Sequence, residues 1–148
     1  MIAQERPWLI PLFVIILGGV SGSFLTCMLY RVPRGIPLSN PPSYCPSCNT
    51  KLKGIDLIPV VSYLMFGRKC HYCEAPVSSR YCIIELLSIF IFTVAYVMVG
   101  AQVALLPALI LSINLMFAVG LWIESRLVAS KVLLFSIIVT YVLVISWR

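Results

Sequence analysis

The chain has 148 residues, of which 61% are hydrophobic and 11% charged, and it carries a formal net charge of +6. A soluble domain carries about 25% charged residues, so this composition excludes an ordinary water-soluble globule and leaves room for one membrane bundle with a small appendage. The basic excess does not mark a nucleic-acid surface: seven of the eleven lysines and arginines fall in one loop, Arg31 to Arg80, flanked on both sides by apolar runs.

The first apolar run, Trp8 to Tyr30, contains no charge. At helical rise it measures about 34 Å, enough to cross a hydrocarbon layer of about 30 Å. Trp8 and Tyr30 sit at its ends, where aromatic rings favour the interface. Gly18 and Gly22, with the offset pair Gly19 and Ser23, give a small-xxx-small spacing that lets a second helix approach closely. The run is too long for a cleaved signal peptide and is followed by basic residues, so it reads as a retained helix.

From residue 31 to residue 81 the character changes. Seven prolines break any long helix, and four cysteines arrive as Cys45-Pro46-Ser47-Cys48 and Cys70-His71-Tyr72-Cys73. Two CxxC turns bring four thiolates together around Zn²⁺ in a closed tetrahedral site of structural type, with Cys45, Cys48, Cys70 and Cys73 as ligands. Paired disulfides and a redox dithiol are the competing readings. The basic loop belongs on the cytosolic side by the positive-inside rule, and a reducing cytosol disfavours disulfides. Lys51, Lys53, Arg68 and Lys69 offset the negative charge of a zinc tetrathiolate. His71 reads as a bystander, and Cys27 and Cys82 as buried packing residues. The stretch Leu57 to Phe66 is itself apolar, too much so for a small loop to bury alone, and is expected to rest against the bundle or the membrane interface.

Further spans are predicted at about 82–99, 103–123 and 132–147. The expected fold is therefore an all-α integral membrane protein of about four transmembrane helices, with a zinc loop between helices 1 and 2. Its parts are helix 1 (1–30), the loop (31–81) and helices 2–4 (82–148). Alternation places both termini outside, and residues 124–131 inside with the loop. Glu85 lies one turn inside the second span, and an ionisable group at that depth is costly and usually functional. Asn114, in the third span, is expected to bond a neighbouring helix. No internal repeat or low-complexity tract is visible.

Several segments in order resemble the type IV prepilin peptidase family, the leader peptidase/N-methyltransferases. They are Gly22-Ser23-Phe24-Leu25, Tyr30-Arg31-Val32-Pro33, Pro42 to Cys48, Asp56 to Leu64, the second knuckle, Pro76 to Tyr81, and Glu85-Leu86-Leu87. The resemblance covers residues 18 to 88, while 89 to 148 match only in hydropathy. It implies a protein of the bacterial inner membrane that acts on or binds the leaders of prepilins or pseudopilins in pilus, type II secretion or competence systems. Such a protein cuts the leader with two aspartates and methylates the new amino terminus with S-adenosylmethionine. It further implies substrate-binding or helix-orienting roles for Glu85, Arg31 and Arg80.

The departures are informative. Where the family's first aspartate stands, this sequence has Ile123-Glu124, and the following Leu-Pro-Asp is replaced by Val128-Ala129-Ser130. An acid displaced by about 1 Å can cost on the order of 100-fold in rate. The Gly-x-Gly-Asp motif that carries the second aspartate is absent, and Asp56 is the sole aspartate. Arg68 replaces the glycine common before the second knuckle. The expectation is a chain that is incomplete as an aspartyl peptidase by itself, with Glu124 as a degenerate acid, working with prepilins, membrane lipid and a complete or complementary peptidase subunit. The alternative is a non-catalytic accessory subunit, or a truncated homologue without activity.

Overall fold

The computed structural model describes residues 7–39 and 42–124, together with Leu134, Phe135, Ile138, Val139 and Val142. The fourth span, expected over 132–147, lies outside the described residues apart from those five positions. In chain order the elements are α1 (Leu9–Arg31), a 3-10 turn (Val32–Arg34), a second 3-10 turn (Gly54–Leu57), α2 (Val61–Met65), α3 (Ser79–Val99) and α4 (Leu105–Glu124). No strand is present among the described residues, only two isolated bridges, Tyr44 with Lys51 and Lys69 with Pro76. Three helices, α1, α3 and α4, are long and apolar enough to cross a membrane.

Local chemistry sets the helix ends. Pro33 is tolerated in the first 3-10 turn because a leading position there needs no amide donor. Gly35 then takes the left-handed conformation (φ 65°), and the Ile36 amide donates to Arg31 O at 3.0 Å, which closes the helix. Helix α3 begins at Ser79, a turn ahead of its apolar run, because the Ser78 side chain caps the Arg80 amide at 3.3 Å. It ends at Gly100, with φ 76°.

The most extensive packing is between α1 and α3, and two glycines permit it. A Cβ added at Gly22 would come within 2.8 Å of the Glu85 Cα and 2.9 Å of the Ser88 Cβ. One added at Gly18 would come within 2.9 Å of the Ile89 Cα. The helices therefore touch backbone to backbone, as the small-residue spacing requires. Ser88 and Ala118 are fully buried for the same reason of size. Two apolar clusters fill the remaining space: Leu25, Leu29 and Leu121 at the loop end, and Val14, Phe92 and Leu109 further along. Gly120 admits the Leu29 side chain, and its hydrogens stand where a Cβ would meet Leu29 at 2.7 Å.

Asn114 corrects one expectation. Its Nδ2 donates to Ile110 O at 2.8 Å, within its own helix. Thr26, Thr93 and Ser112 do the same, each to the carbonyl one turn back at 2.8 Å. A short polar side chain in an apolar helix satisfies itself against its own backbone more readily than against a neighbour.

Replacing Gly22 with isoleucine forces a branched side chain into the α1–α3 contact, an overpacking cost of about 1–3 kcal/mol. Thermal unfolding in detergent is expected to shift clearly downward, whereas Gly54→Ala, in open space, leaves it unchanged. A Gly22→Ile protein that melts with the parent would break the assignment of this helix face.

Candidate metal centre

The four loop cysteines converge. Their Sγ atoms all lie within 4.8 Å of one another, with Cys45 and Cys73 at 3.9 Å. None of the six cysteines of the chain is in a disulfide. A tetrahedral ion with metal–sulfur bonds of about 2.3 Å needs sulfurs about 3.8 Å apart, so the set fits after a small contraction. The cluster can hold a metal ion, and four thiolates would close it.

Two backbone turns of one design build the cluster. In the first, the Cys45 amide donates to Thr50 O at 3.0 Å, the Asn49 amide to Cys45 O at 2.8 Å and the Leu52 amide to Ser43 O at 2.9 Å. In the second, Cys70 donates to Ala75 O at 2.8 Å, Glu74 to Cys70 O at 3.0 Å and Val77 to Arg68 O at 2.8 Å. Every bond recurs at the same offset along the chain. The residue after each second cysteine also has positive φ, 56° at Asn49 and 57° at Glu74. The sequence shows no repeat because only the cysteines are shared, but the backbone repeats.

The sulfurs are electrostatically unequal. The Thr50 hydroxyl, 3.3 Å away, and then the Thr50 amide pull the Cys48 thiol down to about 6. At Cys73 the Ala75 amide acts downward, but burial and the three neighbouring sulfurs outweigh it and push the thiol up to about 12. Ionised sulfurs oppose ionisation of the last one, and a cation among them removes that opposition. A bound dication inverts that logic, which is what a metal site does to its thiols.

Asp56 braces the cluster from the side. Its carboxylate accepts from the Lys53 amide at 2.8 Å and from the Tyr72 hydroxyl at 3.0 Å, and it sits 3.2 Å from His71 Nδ1. Burial favours its neutral form, yet these donors win and hold the carboxyl below the usual range. Burial, and then the same bond, push the Tyr72 phenol up. His71 stacks on Phe66 with ring centroids 4.4 Å apart, and it is not among the clustered ligands. The sequence singled out Asp56 as a lone aspartate opening one of the resembling segments; its position three residues after Lys53 at a turn was the available signal for its bracing role.

Glu124, Arg80 and Arg31 lie at the loop end of the bundle. Glu124 Oε2 accepts from Arg80 Nη2 at 2.8 Å, and Oε1 pairs with Arg34 Nη2 at 3.4 Å. Arg34 is also anchored to Tyr30, by a bond from Nη1 to the carbonyl at 2.9 Å and by its guanidinium over the ring at 4.3 Å. Sequence reasoning missed Arg34, which one helical turn after Tyr30 is placed to do this. One carboxylate thus ties together the ends of α1, α3 and α4. Arg31 is buried and donates from Nη1 to Pro37 O and Leu38 O, at 2.9 and 3.1 Å, folding the chain back as it leaves α1. Glu85 stands apart from this group. It is buried against Gly22, and its Oε2 accepts from the Val60 amide at 2.7 Å.

The comparisons with known proteins follow the same residues. The family described as Bacterial Peptidase A24 N-terminal domain matches residues 16–99. The chain is 36% identical over 103 residues to a prepilin leader peptidase/N-methyltransferase of Myxococcus xanthus, covering 70% of this chain and 31% of that protein. A protein of the same description from Dickeya chrysanthemi is 35% identical over 128 residues, covering 71% and 44%. One from Klebsiella pneumoniae is 29% identical over 154 residues, covering 95% and 68%. The chain thus spans less than half the length of the first two relatives. No solved structure matches it.

Purified chain is expected to carry about one metal ion, with Cys45→Ser and Cys70→Ser each losing it and Cys27→Ser and Cys82→Ser keeping it. Elemental analysis by mass spectrometry decides. Metal retained in Cys45→Ser, or lost in Cys27→Ser, would move the site elsewhere.

Proposed function

The chain belongs to the bacterial peptidase A24 N-terminal domain family, and from that premise we propose that it recognises the leaders of prepilins or pseudopilins at the cytosolic face of the bacterial inner membrane. In this reading it is a prepilin-peptidase-family membrane protein that supplies the knuckle-bearing half of leader processing. Peptide cleavage then requires an acid from a complementary or complete peptidase subunit. The loop faces the cytosol, as its basic charge favours. Zinc is the metal that suits four thiolates, held by Cys45, Cys48, Cys70 and Cys73. Bound there it would contribute folding energy to the loop, since no position stays open for a catalytic water. S-adenosylmethionine is the methyl donor that the family's second activity calls for.

The observation that carries this reading is the environment of Glu124. Aspartyl cleavage needs two carboxyl groups sharing one water, one taking a proton and one giving it. At Glu124 both oxygens are instead engaged by guanidinium groups. Of the other described carboxylates, Asp56 is committed to Lys53, Tyr72 and His71 and Glu85 to Val60, while Glu74 lies exposed in the turn of the second knuckle. A carboxylate held between two cations is a poor proton shuttle and a good staple. That also favours a second reading, in which the chain is an accessory subunit that binds leaders and leaves cleavage to another enzyme.

Detergent-solubilised chain incubated with a prepilin is expected to bind it and leave it full length by mass spectrometry. Addition of a subunit carrying the missing aspartates is expected to yield the shortened product under the first reading, at a rate raised by this chain. The shortened product from the chain alone would overturn the proposal, and failure to bind a prepilin would overturn both readings. In the accessory reading Glu124→Gln lowers the melting temperature and leaves prepilin binding intact.

A further inference from the structure

Between Lys53 and Arg68 the loop contains one charged residue, Asp56, and that carboxylate is bonded internally. Yet Ile55, Leu57, Ile58, Val61, Leu64 and Met65 are all exposed, Leu64 by 68% and Met65 by 58%. They are therefore not buried against the bundle, although Leu57 borders a cavity with Val20, Phe24 and Cys27 of α1. The segment descends through the 3-10 turn Gly54–Leu57, reverses at Pro59–Val60 and returns through α2.

The depth of that reversal follows from what it touches. The loop-end boundary of the bundle is the level at which Arg34, Arg80 and Glu124 meet. Exposed apolar side chains continue up to that level, Ile83 and Leu87 on α3 and Trp122 and Ile123 on α4, with Ile123 exposed by 70%. Pro59 packs against Gly19, where an added Cβ would meet the Pro59 Cβ at 3.2 Å. About 18 Å of helix separates Gly19 from Arg31. The Val60 amide is bonded to Glu85, about 9 Å along α3 from Ser79. By either measure the tip lies well below the boundary.

We propose that residues 54–66 form a re-entrant segment, turning at Pro59–Val60 inside the leaflet at the cysteine-cluster end, with Ile58, Val61, Leu64 and Met65 against lipid acyl chains. The occupant of this surface is lipid because the surface is continuous with the lipid-facing belt of α1, α3 and α4.

The backbone of the tip meets the demand that such depth imposes. Irregular backbone survives in hydrocarbon only where its polar groups are satisfied by protein. Val60 adopts φ 62°, ψ −46°, a conformation that strongly disfavours a β-branched residue. The Val61 amide donates to Pro59 O at 2.6 Å, closing a three-residue γ-turn. That turn leaves the Val60 amide pointing outward, and Glu85 accepts it. Ser62 returns both its amide and its hydroxyl to Ile58 O, at 3.1 and 2.9 Å. Pro59 brings no amide to satisfy. Glu85 is thus the acceptor that lets the turn exist at this depth, which accounts for an acid buried nearly two turns inside α3.

The test places single tryptophans in full chain carrying Trp8→Phe, Trp122→Phe and Trp147→Phe, reconstituted in liposomes of phosphatidylcholine brominated on the acyl chains. Ile58→Trp and Leu64→Trp are expected to lose as much emission as the bundle reporter Ile83→Trp, with Ile58→Trp favouring the more deeply placed bromines and Lys51→Trp barely quenched. Loop reporters that stay as bright as Lys51→Trp while Ile83→Trp is quenched would overturn the proposal. A loop emission that depends on protein density but not on bromine would do so in favour of a second copy. Because a tryptophan can perturb folding, unmodified chain is also labelled with a lipid carrying a photoactivated carbene near the acyl-chain midpoint. Labelled peptides mapped by mass spectrometry are expected to include residues 55–65, and labelling confined to α1, α3 and α4 would overturn the proposal independently.

Discussion

The backbone contact of α1 with α3 at Gly18 and Gly22 sets the position of everything else. Lipid offers no hydrophobic drive for helix pairing, so association relies on close van der Waals fit, and a fit this close needs residues with no side chain. The contact brings the Glu85 backbone against Gly22. It also fixes the distance between Arg31, where the chain leaves α1, and Ser79, where it enters α3. The loop between them must start and end at two immobile points. That restriction stands in for much of the core that a loop of this size lacks.

Within the loop the same problem is solved a second time, by polar and sulfur chemistry. Two knuckles with identical hydrogen-bond patterns face each other, and Asp56 joins one to the stretch between them through Lys53, Tyr72 and His71. The thiols are unequal, Cys48 pulled down by the Thr50 hydroxyl and amide and Cys73 pushed up by burial and its sulfur neighbours. The knuckles and the bundle meet through Pro59–Val60, where Gly19 provides the space and Glu85 the acceptor. Small residues on α1 therefore serve two partners from adjacent positions: Gly18 and Gly22 meet α3, while Gly19 meets the loop.

Much of this was legible in the sequence, for definite reasons. Long apolar runs gave four expected spans, three of which are helices among the described residues, and the small-residue spacing gave the α1 face that packs. The CxxC pair gave a cluster that can hold a metal. What was not legible depended on contacts between segments far apart in the chain. Neither the reversal at Val60 nor its bond to Glu85 has a local signature, because valine argues against positive φ. Arg34 looked like one more loop cation until Glu124, ninety residues on, supplied its partner. Asn114 was misread because residue type reveals a need for a partner and not where the partner lies. The repeat of the knuckles escaped notice because hydrogen bonds between backbone groups leave side chains free to differ.

The Glu124 site shows how far resemblance and geometry can diverge at one position. Arg34 and Arg80 hold Glu124 in place, each supplying one guanidinium to one oxygen. The Glu124 side chain is 21% exposed, and Arg34 and Arg80 are more open still, so solvent screens both pairs and neither is worth more than about 1 kcal/mol. The contribution is chiefly geometric. Each arginine comes from a different segment, and a single acid that accepts from both fixes three helix ends at one level. A catalytic acid needs the opposite, an oxygen left free for water and a neighbour that competes for the proton. For Glu124 to serve in cleavage, at least one arginine would have to release it when substrate and a second acid arrive. The longer reach of glutamate suits the stapling role, since it must span from α4 to both guanidinium groups.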